Sequence, residues 1–194
     1  MVEFWLSCIY GGWRVRDEIK SNPGRYSTVA AALHWLTALA VMAAFVAGMR
    51  ASHTSDPVHA ASILRLHVPL ALLAFALTIF RLAWWTLVDR LPEPLPMPVW
   101  QRIIATVVHR GLNILVLALG LSGIGLFVQS GVAAVVFGGN GGNLPNFDDF
   151  PARYVHGAFA RLLFLLLALH IFAAFFHQFA KRDRIFARIG IGRP

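Results

Sequence analysis

Four stretches of the chain, residues 28–49, 63–85, 103–128 and 154–178, contain no acidic residue and hold only four arginines between them. Each is at or above the ~20 residues that cross a hydrocarbon core about 30 Å thick. A lipid-exposed backbone must satisfy its own hydrogen bonds, and none of the four shows the apolar/polar alternation of a barrel strand, so they read as helices. The expected fold class is all-α, an integral membrane four-helix bundle. Hydrophobic residues make up 58% of the chain and charged residues 13%, which excludes an ordinary soluble domain. The connections are short, so there is room for one domain, residues 25–194. Residues 1–24 precede it as an extension; no basic n-region of a cleavable signal peptide stands before its apolar stretch, so it reads as an amphipathic interfacial segment or as the product of a start codon placed too early.

The net charge of +8 raises the question of a nucleic-acid partner, and its placement answers it. Arg14, Arg16, Lys20 and Arg25 precede the first span; Arg81, Arg90, Arg102 and Arg110 flank the second connection; Lys181, Arg182, Arg184, Arg188 and Arg193 follow the fourth. Only Arg50, Arg65 and Arg153 lie near the first and third connections. That asymmetry predicts both termini and the second connection on the cytoplasmic side, with no nucleic acid involved. The single cysteine, Cys8, excludes an internal disulfide and a thiolate-held cluster. In the second connection Pro92, Pro94, Pro96 and Pro98 predict an extended, non-helical linker.

Histidine is the residue type that carries chemistry here. His34, His67, His109, His156 and His170 lie in or at the ends of the spans, with His177 just beyond. An ionisable side chain at membrane depth is costly and is a functional hypothesis by default. His53 and His59 fall in the outer connection and read as solvated. Fourteen residues separate His156 from His170, about 21 Å along a helix and about 40° short of four turns. Both imidazoles therefore point to one side, one in each leaflet. With the predicted topology the heights match as His34 with His170 on the cytoplasmic side, and His67 with His156 on the periplasmic side.

Two neutral imidazoles across a gap of about 4 Å, twice a ~2.0 Å metal–nitrogen bond, can hold one iron. Bis-histidine ligation of haem b needs no further protein ligand. A carboxylate di-iron bundle is excluded by the lack of Glu-x-x-His and of acids within the spans. Zinc requires a third or fourth ligand, which only the cytoplasmic level, with His109 added, offers. Two haems b stacked across the membrane are the expectation.

At this point the pattern resembles the prokaryotic cytochrome b561 family, small four-helix dihaem cytochromes, which implies a place in a bacterial inner membrane. The residues that carry the likeness are RYSTVAAALHW around His34, LRLHVPLALL around His67, HRGLNILVLALGLSGIGL from His109 and HGAFARLLFLLLALHIFAAFFH from His156 to His177. The resemblance implies His34 and His170 as ligands of a cytoplasmic-side haem, and His67 and His156 of a periplasmic-side haem. It makes His109 a neighbour of the cytoplasmic haem that does not ligate it. The chain departs from the pattern at Asn113, where members often carry Tyr, and at Gly120, where Pro is common.

The family also implies a ubiquinone site on the cytoplasmic side. His177 follows His170 by seven residues, about 20° short of two turns, and is the first candidate to face it, with His109 and Asn113 behind. On the outer side Arg65, Arg153 and Arg161 lie within a few residues of His67 and His156. They are candidates to pair with haem propionates or to attract a small anion. Similar members pass electrons from periplasmic superoxide to ubiquinone, and that is the function expected. The alternative is a non-catalytic subunit relaying electrons between a partner dehydrogenase and the quinone pool, as related dihaem subunits of formate dehydrogenases and hydrogenases do.

Overall fold

The computed structural model describes residues 19–138 and 143–192; residues 1–18, most of the N-terminal extension with Cys8, Arg14 and Arg16, lie outside the described residues. Four long helices dominate: α1 (Thr28–His53), α2 (Pro57–Leu87), α3 (Val99–Ser130) and α4 (Pro151–Phe175). All four are long and apolar enough to span a membrane. No strand occurs among the described residues beyond one isolated bridge, Asn22 to Arg25. The protein is an all-α membrane bundle.

Most helix ends lie a few residues outside the apolar runs, because local stop and start chemistry sets them rather than hydropathy. Ser27 opens α1, its Oγ accepting from Ala30 N–H at 3.2 Å. Asp56 does the same for α2, with Oδ1 3.0 Å from Val58 N and Pro57 in the first helical position. Pro98 precedes α3, and Gly131, in the left-handed region at φ 62°, ends it. Pro151 opens α4 directly after a turn of 3-10 helix, Phe147–Asp149. Pro69 lies inside α2 and removes one internal N–H, which membrane helices tolerate. The proline linker is non-helical over residues 88–98, as its composition predicts.

The described chain forms two compact units. The larger comprises residues 36–79, 98–138 and 143–172 and contains the four-helix bundle. Its core takes Ala40 and Val41 from α1, Ala74 from α2, Leu115 from α3 and Leu163 from α4, with Leu119 and Phe159 packed around them. Alanines at the seams allow close helix approach, which replaces the hydrophobic drive that lipid cannot supply. At Gly120 the fit leaves no room for a side chain, since a Cβ there would overlap the Phe75 ring. Large apolar residues such as Leu39, Ile114, Leu121 and Leu165 face outward, as suits a hydrocarbon solvent.

The smaller unit comprises residues 19–35, 80–97 and 173–192. Its centre is Asp89, 5% exposed. The carboxylate accepts from Ser21 N at 2.8 Å, Ser21 Oγ at 2.7 Å, Ser27 Oγ at 2.9 Å and Arg90 N at 2.8 Å. Burial alone raises its pKa; the donors from Ser21, Ser27 and Arg90 outweigh that and hold the carboxyl below the usual carboxylate range. Tyr26 N donates to Arg188 O at 3.0 Å, Trp35 Nε1 to Ile189 O at 3.0 Å, and the Arg188 guanidinium to the carbonyls of Pro23 and Glu93.

Candidate functional site

In the larger unit α2 and α4 bring His67 and His156 together, ring centroids 6.3 Å apart and planes at 80°. Each ring is held from behind by a neighbouring helix. His67 Nδ1 lies 2.8 Å from Ala44 O on α1. A carbonyl oxygen only accepts, so Nδ1 carries the proton and Nε2 keeps its lone pair. His156 Nδ1 lies 3.0 Å from Ser122 Oγ on α3, while that hydroxyl donates to Leu119 O at 3.1 Å. With its proton spent on Leu119, Ser122 accepts from His156, which fixes the same tautomer. Glycines make both contacts sterically feasible: a Cβ on Gly48 would sit 2.8 Å from His67 Cε1, and one on Gly123 3.3 Å from His156 Cε1.

Two rings that each reach one metal over a ~2.0 Å bond place their centroids about 6 Å apart. The observed 6.3 Å and the paired tautomers would suit a metal held by two imidazoles. Among the described residues no group of three or more His, Cys, Asp or Glu could hold a metal ion. Such a donor set does not suit zinc, and it suits an iron whose other four ligands come from a macrocycle.

The same unit also brings His109 of α3 to His170 of α4, centroids 5.0 Å apart at 79°. His109 is exposed, and its Nδ1 lies 2.7 Å from Ala105 O one turn back in its own helix. Asn113 Nδ2 likewise donates within α3, to His109 O at 3.0 Å. His34 belongs to the smaller unit, half-buried, its ring edge-on to Trp35 at 5.3 Å. Arg81 Nη1 lies 3.4 Å from His34 Nδ1, and the Arg81 guanidinium stacks over Trp85 at 5.1 Å.

Arg65, Arg153 and Arg161 are placed separately. Arg65 Nε donates to Val136 O, and so ties α2 to a short helix, Ala133–Val136, whose last residue is fully buried. Arg153 is half-buried in the first turn of α4. Arg161, eight residues or about 12 Å further along, is exposed.

His177 follows α4 in π-helical turns over Phe176–Lys181. The 100° periodicity that predicts its direction therefore stops at Phe175. Its Nδ1 lies 2.6 Å from Asp183 Oδ2. Reasoning from sequence missed Asp183, Ser122 and Gly48. Gly48 had a readable signal, since it follows His34 by fourteen residues, the interval of His156 and His170. Asp183 and Ser122 had none.

Comparison with known proteins bears on this geometry. Residues 25–192 match the family described as prokaryotic cytochrome b561. The chain is 27% identical over 187 residues to cytochrome b561 homolog 2 of Escherichia coli (strain K12), covering 87% of this chain and 93% of that protein. It is 34% identical over 98 residues to cytochrome b561 homolog 1 of the same organism, covering 48% of this chain and 55% of that one. No solved structure matches. Four membrane-spanning helices, a facing pair of tethered imidazoles and a family match over nearly the whole bundle converge: the chain belongs to the prokaryotic cytochrome b561 family, membrane-bound b-type cytochromes of electron transfer in the bacterial inner membrane.

Proposed function

We propose that the protein carries electrons from superoxide on the periplasmic side to ubiquinone on the cytoplasmic side, through two haems b. His67 and His156 hold the outer haem and His34 and His170 the inner one, with both termini in the cytoplasm as the distribution of Lys and Arg directs. Haem b, once bound, supplies one-electron chemistry; the chain supplies position, tautomer and access. The observation that carries the reading is the His67–His156 pair, whose two Nδ1 atoms are both engaged by oxygens so that both Nε2 atoms keep their lone pairs.

Two superoxide anions each lose one electron and leave as O2. One ubiquinone takes both electrons and two protons and leaves as ubiquinol. Arg153 and Arg161 add positive potential on the outer side for a diffusing anion, which needs no docking domain. Arg65, engaged with Val136, ties α2 to the third connection. His109 and Asn113, on one face of α3, remain candidates to meet the quinone together with His177.

The test is the visible spectrum of the oxidised, haem-loaded protein exposed to a superoxide-generating system, with dithionite as the full-scale reference. Rapid haem reduction that added ubiquinone reverses supports the reading. Reduction by dithionite alone removes superoxide as the donor and leaves a subunit that relays electrons from a partner dehydrogenase.

A further inference from the structure

We propose that His177 and Asp183 form a dyad that delivers protons to the quinone, with Asp183 as its positioning residue; the inference rests on the quinone reading above. After Phe175 the backbone widens into π turns, and Arg182 and Arg184 then take φ values of 59° and 49°. That left-handed region is sterically costly for any residue with a Cβ. The His177 carbonyl accepts from Arg182 N–H and, at 3.0 Å, from Asp183 N–H, so the chain wraps around His177. The result sets Asp183 Oδ2 2.6 Å from His177 Nδ1, with side chains only 17% and 32% exposed for His and Asp.

An uninterrupted α-helix would turn about 600° over those six residues and leave the two side chains about 120° apart. The π turns and the left-handed Arg182 are what bring them together. π turns and strained non-glycine residues recur at functional sites. If chain termination were the only requirement, glycines at 182 and 184 would meet it without the steric cost. The last helical turn, Ile185–Arg188, is moreover secured independently, by Gln178 Oε1 accepting from Phe186 N at 3.1 Å.

A carboxylate only accepts, so Asp183 places the Nδ1 proton and leaves Nε2 as the nitrogen that meets substrate. It also stabilises the imidazolium, as a carboxylate does for a catalytic histidine elsewhere. In the step, the Nε2–H bond breaks, its electron pair stays on nitrogen, and an O–H bond forms on a quinone carbonyl oxygen. Neutral His177 regains a proton from cytoplasmic water. One cycle delivers one proton, so two cycles accompany the two electrons that make each ubiquinol.

The experiment follows haem reoxidation by decylubiquinone in the pre-reduced, haem-loaded full chain, for wild type, Asp183→Asn, Asp183→Glu, His177→Gln and Arg188→Ala. Asp183→Asn and His177→Gln are expected to keep wild-type haem content and spectrum while the maximal rate falls about tenfold or more. The quinone concentration for half-maximal rate should stay within about twofold, the solvent deuterium isotope effect should rise, and Asp183→Glu should recover part of the rate. Arg188→Ala loosens the tail but leaves the dyad intact and should reoxidise like wild type. A wild-type maximal rate in Asp183→Asn, an equal loss in Arg188→Ala, or loss of haem in His177→Gln overturns the dyad while the quinone reading stands. Failure of decylubiquinone to reoxidise the wild type overturns the quinone reading first, and the dyad with it.

Discussion

The Nδ1 of His67 sits 2.8 Å from the carbonyl oxygen of Ala44, so a ring carried by α2 is aimed by α1. The aim depends on Gly48, one turn further along α1, because a Cβ there would reach within 2.8 Å of the ring. On the two-haem reading, Gly48→Val is therefore expected to displace His67 and lower haem content toward one per chain, read by the pyridine haemochrome assay. Gly123→Ala should act more weakly, since its 3.3 Å approach to His156 needs a shift of only a few tenths of an ångström.

Ser122 positions the opposite ring. Ser122→Ala leaves the His156 Nδ1–H without its acceptor and frees the imidazole to rotate. Outer-shell partners of this kind are worth about 10–100-fold in affinity. The expected result is a loss of that order in haem retention during titration of the apoprotein, with the fold intact by circular dichroism.

The ligand assignment makes a crossed prediction. His67→Ala and His156→Ala should each abolish the same haem, and His34→Ala and His170→Ala the other, each variant retaining about one haem by spectrum and redox titration. Four variants that all keep two haems would sink the assignment.

Asp89 organises the smaller unit through four donors. Asp89→Ala leaves the Ser21 and Ser27 donors unmatched and should cost about 2–4 kcal/mol, given the strength of hydrogen bonds to a charged acceptor. The thermal midpoint of the Soret band measures it.

The same carboxyl predicts acid sensitivity. Its folded pKa is held below the unfolded value, so its contribution to stability is present above the unfolded carboxylate range and is lost as pH falls through the lower folded value. Thermal scans below about pH 4 should show wild type losing stability that Asp89→Asn never had.

How much of this was legible in the sequence differs from element to element, for physical reasons. Lipid demands an internally satisfied backbone over about 20 residues, so the four apolar runs determined the class of fold, whereas the helix ends set by Asp56-Pro57 and Gly131 lie outside those runs. Helical period also put His156 and His170 on one side of α4, because α-helix geometry depends only on position along the chain. Ser122 behind His156 was not legible, because that contact depends on which faces of α3 and α4 meet. Asp183 was out of reach for another reason. A periodic argument holds only while the helix does, and the backbone leaves α geometry at Phe176 before it returns that carboxylate to His177. The sequence by itself determined the helices and the chemistry they carry; only the tertiary structure decided what stands behind each imidazole, because that is set by contacts between segments far apart in the chain or joined by a backbone that departs from its own period.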